Sequence, residues 1–257
     1  MCLLVLAWQS HARYRLVVAA NRDEFHARAA APLAKWPPPA DILAGRDLRA
    51  GGTWLAVDRR RRFGVVTNFR ELAQPRAGAP SRGELIPRYL AGNDSAAGFF
   101  AGLEAQASRY SGFNLLLADA HSLWYGSNRA TPFARELARG VYGLSNELLD
   151  TPWPKLERVR AGLRGWLERP AAAPEELFAL LADRTPAATL PPTGGLPPEW
   201  ARALSAPFVL HPEYGTRCST VVLLENDGRL RLTERRFDAA GGSRGEREFE
   251  LPAGSWP

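Results

Sequence analysis

The sequence predicts a layered α+β fold, and three features carry that expectation. Paired apolar runs of strand length stand near the start, in the middle and near the end of the chain. Helical periodicity is confined to the stretches between them. Strands and helices do not alternate one for one, as a doubly wound parallel sheet would require. At 257 residues, with 46% hydrophobic and 23% charged residues, the chain can bury a core without disulfide or metal support. It is expected to form a single domain over residues 1–257.

The elements follow in order. Leu3 to Trp8 and Tyr14 to Ala20 are short runs rich in Val and Leu, separated by Gln9-Ser10-His11-Ala12-Arg13, and read as a hairpin of buried strands. A second hairpin joins Gly51 to Val57 with Phe63 to Asn68 through Arg59-Arg60-Arg61-Arg62, read as a solvated turn. Ser81-Arg82-Gly83-Glu84 has the form of a capping box, with Leu85, Ile86, Tyr89 and Leu90 as the apolar face behind it. Asn93 or Asp94 can cap a further helix bearing Phe99, Phe100, Leu103 and Ala107. Phe113 to Ala118 and Ser122 to Tyr125 form a third hairpin around Asp119-Ala120-His121. A longer helix is expected from about Pro154 to Glu168, carrying Leu156, Val159, Leu163 and Trp166. The segment from Pro170 to Pro212 is rich in Pro and Ala and holds one short helix near Glu175 to Ala182. The last hairpin pairs Ser219 to Leu224 with Leu230 to Glu234, and its Asp227-Gly228 suits a positive φ.

Composition narrows the function classes. No apolar run approaches the roughly 20 residues that span a bilayer, so membrane insertion is not expected. The opening MCLLVLAW lacks a basic flank and reads as a buried strand rather than a signal peptide. The net charge of +6 comes from scattered arginines, with Lys35 and Lys155 as the only lysines; codon bias explains this more simply than a nucleic-acid surface. Two cysteines, Cys2 and Cys218, make no disulfide framework and fit a reducing compartment, so a cytoplasmic location is expected. A phosphate-cradling glycine loop, a dinucleotide-binding turn and an H-E-x-x-H helix are all missing, and the four histidines are isolated. Gly143-Leu144-Ser145-Asn146 starts like a nucleophile elbow but continues with Glu147 where glycine is required. Metal and cofactor are not called for.

Cys2 then draws the chemistry. Removal of Met1 would leave a thiol and a free α-amine on one residue, and an α-amine titrating near 7.7–8.0 can act as the thiol's own base. The plain alternative is a buried cysteine on the first strand. Asn21-Arg22-Asp23-Glu24 closes the returning strand beside Cys2. A carboxylate there can hold the amine and a guanidinium can lower the thiol pKa, although a solvated polar turn has the same composition.

Met1-Cys2, Asn21-Arg22-Asp23-Glu24, Gly51-Gly52-Thr53-Trp54, Thr67-Asn68-Phe69-Arg70 and Gly143-Leu144-Ser145-Asn146, in this order over nearly the whole chain, resemble the NRDE family. That family is also called the transport and Golgi organisation protein 2 family. It is similar, more distantly, to the choloylglycine hydrolases and penicillin V acylases. The resemblance implies an N-terminal-nucleophile hydrolase-like αββα four-layer sandwich, with two antiparallel sheets between helical layers. It implies Cys2 as nucleophile, Asp23 as the group orienting the α-amine, and Arg22 and Arg217 as active-site arginines. Asn68 and Asn146 match asparagines at the oxyanion pocket, while asparagines at strand ends are also ordinary turn formers. Glu24, Trp54 and Arg70 are candidate substrate contacts. Glu24 can instead pair with Arg22 or Arg28, and Trp54 can be a core or pocket-wall residue beside glycines that allow a tight backbone approach. The activity implied is that of an amidase or acyl transferase acting on a small-molecule carbon–nitrogen amide. The alternative is a non-catalytic protein binding haem or an acyl lipid, with Cys2, His26 or Arg22 touching the ligand.

Overall fold

The computed structural model describes residues 2–71, 78–190 and 195–257; Met1, whose removal the sequence reading invokes, lies outside them, as do residues 191–194 of the Pro- and Ala-rich segment. The chain divides into two compact units. The first comprises residues 1–27, 139–145 and 149–250, the second residues 28–138, 146–148 and 251–257.

In chain order the elements are β1 (Cys2–Trp8), β2 (Tyr14–Phe25), β3 (Ala30–Lys35), β4 (Ile42–Asp47), β5 (Leu55–Asp58), β6 (Phe63–Asn68), α1 (Leu85–Ala91) and α2 (Ala96–Glu104). There follow β7 (Phe113–Ala118), β8 (Leu123–Ser127), β9 (Ala134–Leu137), β10 (Gly140–Leu144), α3 (Pro154–Leu167), α4 (Pro174–Leu181), α5 (Pro198–Leu204), β11 (Tyr214–Glu225), β12 (Leu230–Phe237) and β13 (Ser243–Leu251). Among the described residues the strands form two antiparallel sheets, one ordered β10-β1-β2-β11-β12-β13 and the other β3-β4-β5-β6-β7-β8-β9. No helix among them is long and apolar enough to cross a membrane.

The first unit is built on strand alternation. Leu3, Val5 and Ala7 of β1, Val17 and Ala19 of β2, and Val221 and Leu223 of β11 share one face. They cluster with Leu156, Val159 and Leu163 of α3 and with Leu177 and Leu181 of α4. The three α3 residues recur at helical spacing, and Pro154 opens that helix where its missing N–H costs nothing. Each fully buried leucine contributes about 1.5–3 kcal/mol, so this face fixes both helices and the sheet register. In the second unit Leu85, Ile86 and Tyr89 of α1 and Phe99, Phe100 and Leu103 of α2 pack on Ile42, Ala44, Ala56, Val66, Leu115 and Leu117.

Several local expectations change. β2 does not stop at Ala20; it runs to Phe25, and Asn21, Arg22 and Asp23 are buried within it, Asn21 and Asp23 with side-chain hydrogen bonds to Ser219 and Thr216 of β11. Ser81 accepts from the Gly83 N–H at 3.3 Å and starts a short 3-10 turn rather than a capping box, while Glu84 turns to the Tyr110 hydroxyl at 2.6 Å. Ser95, not Asn93 or Asp94, caps α2 through the Gly98 N–H at 3.1 Å. Half of the arginine turn is not solvated. Arg59 and Arg60 are exposed, but Arg61 and Arg62 are buried. Arg62 bonds Asp58 at 2.8 Å and the carbonyls of Tyr89 and Leu90, which end α1 and need donors.

Candidate functional site

In the first unit, Cys2 opens β1 directly opposite Arg22 of β2, and Arg22 stands opposite Cys218 of β11. Opposed residues in adjacent strands point to one face, so Cys2, Arg22 and Cys218 share a side, while Asn21 and Asp23 share the other. Arg22 rather than Asp23 is therefore the direct neighbour of Cys2; Asp23 is the first β2 residue past the register with β1. A bulge places Arg217 between Thr216, paired with Asp23, and Cys218, paired with Arg22. The extra residue sends the Arg217 guanidinium to the carbonyls of Phe25 at 3.1 Å and His26 at 2.9 Å.

Each member of the Asn21-Arg22-Asp23-Glu24 tetrad has a different task. Asn21 donates to the carbonyls of Leu181 (2.9 Å) and Pro207 (3.0 Å) and accepts from the Ser219 hydroxyl at 2.6 Å, which makes it a structural tie. Arg22 is buried and lies 3.8 Å from Glu24, and Arg28 pairs with Asp47 at 2.6 Å. The Asp23 carboxylate accepts from the Thr216 hydroxyl at 2.7 Å, and its backbone carbonyl accepts from the Tyr214 hydroxyl at 2.7 Å. Ser145, just past β10, donates to the Cys2 carbonyl at 2.9 Å and anchors the start of β1.

Burial dominates the electrostatics. It pushes the Cys2 thiol up; the nearby Asp23 charge adds to this, while the Asp23 backbone N–H and the Arg22 charge act in the opposite sense. Burial also raises the Asp23 carboxyl, against the pull of Lys155, the Thr216 hydroxyl and Arg22. Cys218 is raised well above the ordinary thiol range by burial and by Glu234. Arg217 is lowered, first by burial and then by the Arg22 charge. Thr216, Tyr214 and Lys155 were not singled out from the sequence. The signal for Lys155 was its position in the first turn of a helix, where a cation opposes the helix dipole.

In the second unit, Asn68 ends β6 with an exposed side chain, and its carbonyl accepts from the Asn146 amide at 2.8 Å. The Asn146 carbonyl in turn accepts from the Arg70 N–H at 2.6 Å. Asn146 is buried and Arg70 is half-buried. Trp54, half-buried, precedes β5 and accepts from the Val66 N–H at 2.9 Å. The glycines before it meet the expectation of close backbone approach: a Cβ on Gly52 would lie 2.4 Å from the Gly83 carbonyl. No group of three or more His, Cys, Asp or Glu that could hold a metal is present among the described residues.

The fold is that of the N-terminal-nucleophile hydrolases: the chain superposes on the C2A mutant of the conjugated bile acid hydrolase from Clostridium perfringens with a TM-score of 0.53 at 7% identity, covering 98% of this chain and 92% of that one. Sequence comparison fixes the family more narrowly. The profile of the Transport and Golgi organisation 2 family matches residues 1–239. A Transport and Golgi organization protein 2 homolog of Bos taurus is 33% identical, covering 98% of this chain and 99% of its own length. The homolog of Homo sapiens is also 33% identical, over 91% and 92%. The chain belongs to the Transport and Golgi organisation 2 family.

Proposed function

We propose that this chain is an N-terminal-cysteine amidase or acyl transferase that cleaves a small-molecule carbon–nitrogen amide. The observation that carries the reading is the surroundings of Cys2: a thiol at the first residue of β1, opposite a buried guanidinium, with the Asp23 N–H directed at its sulfur. The hydrolase in the solved structure is named for a conjugated bile acid and carries a substitution of its own Cys2, which supports the same class of chemistry here.

In this mechanism Met1 is first removed, which frees the Cys2 α-amine. The amine takes the thiol proton as sulfur attacks the amide carbonyl; carbon–sulfur bond formation gives a tetrahedral oxyanion. Collapse breaks the carbon–nitrogen bond, the amine passes its proton to the leaving nitrogen, and a thioester on Cys2 remains. Water then releases the acid, or a second amine takes the acyl group. A thiol raised by burial suits this order, because a buried sulfur that stays protonated needs a base at the moment of attack. Asp23 holds the amine, and Arg22 and Arg217 supply positive charge. The oxyanion-donor role of Asn68 rests on the family resemblance, and the residue is exposed at the end of β6. Asn146, which holds the Asn68 carbonyl, is assigned to positioning. Glu24, Trp54 and Arg70 remain the substrate-contact candidates, and the site is proposed to work in the cytoplasm without metal or cofactor.

Incubation of the Met1-free protein with a panel of N-acyl amides, followed by acid quench and intact-mass measurement, tests the reading. An acyl adduct on Cys2 that is lost in Cys2→Ala is expected. Release of amine by Cys2→Ala at the wild-type rate would overturn it. The competing haem-binding reading loses the Nε2 of His26 as a ligand, because that nitrogen is engaged with the His211 carbonyl at 3.0 Å.

A further inference from the structure

Lys155 has no place in the chemistry just described, yet its position is costly. It is 4% exposed in a chain whose other cationic side chains are, with one exception, arginines. An ammonium is a strongly hydrated point charge, and burying it is unfavourable unless a carboxylate compensates. It also lies in the first turn of α3, where the helix dipole opposes a cation. Helix stability therefore does not account for it, and a buried counter-charge is required.

Two carboxylates are buried among the described residues of the first unit, Asp23 and Glu234. Glu234 stands opposite Thr220, on the side of the sheet that carries Cys218, and the Cys218 thiol is its hydrogen-bond partner. Asp23 has the strand parity of Val17 and Ala19, which share a core cluster with Leu156, the residue after Lys155. Only Asp23 lies on the helix-bearing face.

We propose that Lys155 is a positioning residue for the thiol centre: its buried ammonium is the counter-charge that keeps Asp23 ionised and set beside the end of β1, where the carboxylate holds the Cys2 α-amine. Among the influences that favour the ionised form of Asp23, the Lys155 charge is the largest, ahead of the Thr216 hydrogen bond and Arg22. Of the charged and titratable groups on the neighbouring strands, Arg22 and Glu24 flank Asp23 on β2 and Tyr214 and Arg217 flank its partner Thr216 on β11, while Cys218 and Glu234 lie on the other side of the sheet. α4 presents Leu177, Phe178 and Leu181. This inference rests on the nucleophile reading for its consequence, though not for the ion pair itself.

The consequence has a definite sign. Without the Lys155 charge the buried Asp23 takes up a proton and no longer holds the α-ammonium, so the amine releases its proton more readily. The test uses the full chain from Cys2, released from a cleavable fusion, with the amine titrated by pH-dependent competitive labelling. Lys155→Met is expected to move the midpoint down by about one pH unit, a tenfold change in proton affinity. Lys155→Arg restores it, and in an Asp23→Asn background the Lys155→Met shift falls below half. An unchanged midpoint in a folded Lys155→Met protein overturns the proposal. If Lys155→Met does not fold, the combination with Asp23→Asn decides: recovery of a cooperative melt supports the buried pair, and failure to recover overturns it. Absence of any Cys2 acyl adduct alongside the expected titration shifts would sink the amidase reading and leave the ion pair standing.

Discussion

At Cys2, reactivity is set by a contest between burial, which disfavours the thiolate, and the Arg22 charge and Asp23 N–H, which favour it; burial is the largest influence. With Met1 retained, alkylation of Cys2 in a Cys218→Ala background should therefore show a midpoint above the ordinary thiol value of about 8.5. Removal of Met1 brings an α-ammonium onto the same residue and should move that midpoint down. Iodoacetamide rates followed by intact mass across pH check both, and a midpoint unmoved by Met1 removal would contradict the account. The sequence made Cys2, Arg22 and Asp23 legible because a polar tetrad after an apolar strand is a visible break in pattern. It did not reveal that Asn21 is a structural tie, since a buried asparagine and a turn asparagine look alike until their partners are known. Lys155 escaped for the same reason: its counter-charge is more than a hundred residues away in sequence.

Among the elements, the apolar runs gave themselves away while the polar strands did not. β1, β2, β5, β6, β7, β8, β11 and β12 were readable from hydrophobic runs. β13 was not, because seven of its nine residues are exposed at the sheet edge and carry no alternation to read, with Leu251 alone buried. β10 is short and glycine-bearing, and α5 has seven residues in a proline-rich stretch. Gly51 and Gly52, by contrast, were readable in kind: Gly51 takes a φ of +77°, and Gly52 meets the Gly83 backbone. Gly52→Ala drives a Cβ into main-chain atoms at 2.4 Å that have no rotamer to yield. It should cost about 3 kcal/mol, at the upper end for overpacking, and Gly83→Ala, with nearest contacts at 3.2–3.4 Å, should cost about 1 kcal/mol. Urea midpoints compare the two; equal costs would show that the backbone approach is softer than the geometry implies.

Across the whole molecule, ionisable groups held neutral by burial give stability a direction in pH. Cys2, Cys218, Tyr89 and Tyr110 are all raised, each with burial as the first cause. The native state then keeps protons that the unfolded chain releases, so stability is fully present below the unfolded values and is lost as pH rises from them through the raised folded values. Chemical denaturation midpoints should fall steadily above about pH 8.5, and Cys218→Ala should flatten the first part of that fall. A stability profile level from pH 8 to 10 would contradict these raised values.

The nucleophile reading meets its most direct test at the chain terminus. Native protein, exposed to an N-acyl amide, quenched in acid and mapped by peptide mass, should yield an N-terminal peptide that begins at Cys2 and carries the acyl group on sulfur. A terminus that keeps Met1, or a Cys2 peptide unmodified while amide is consumed, would contradict it.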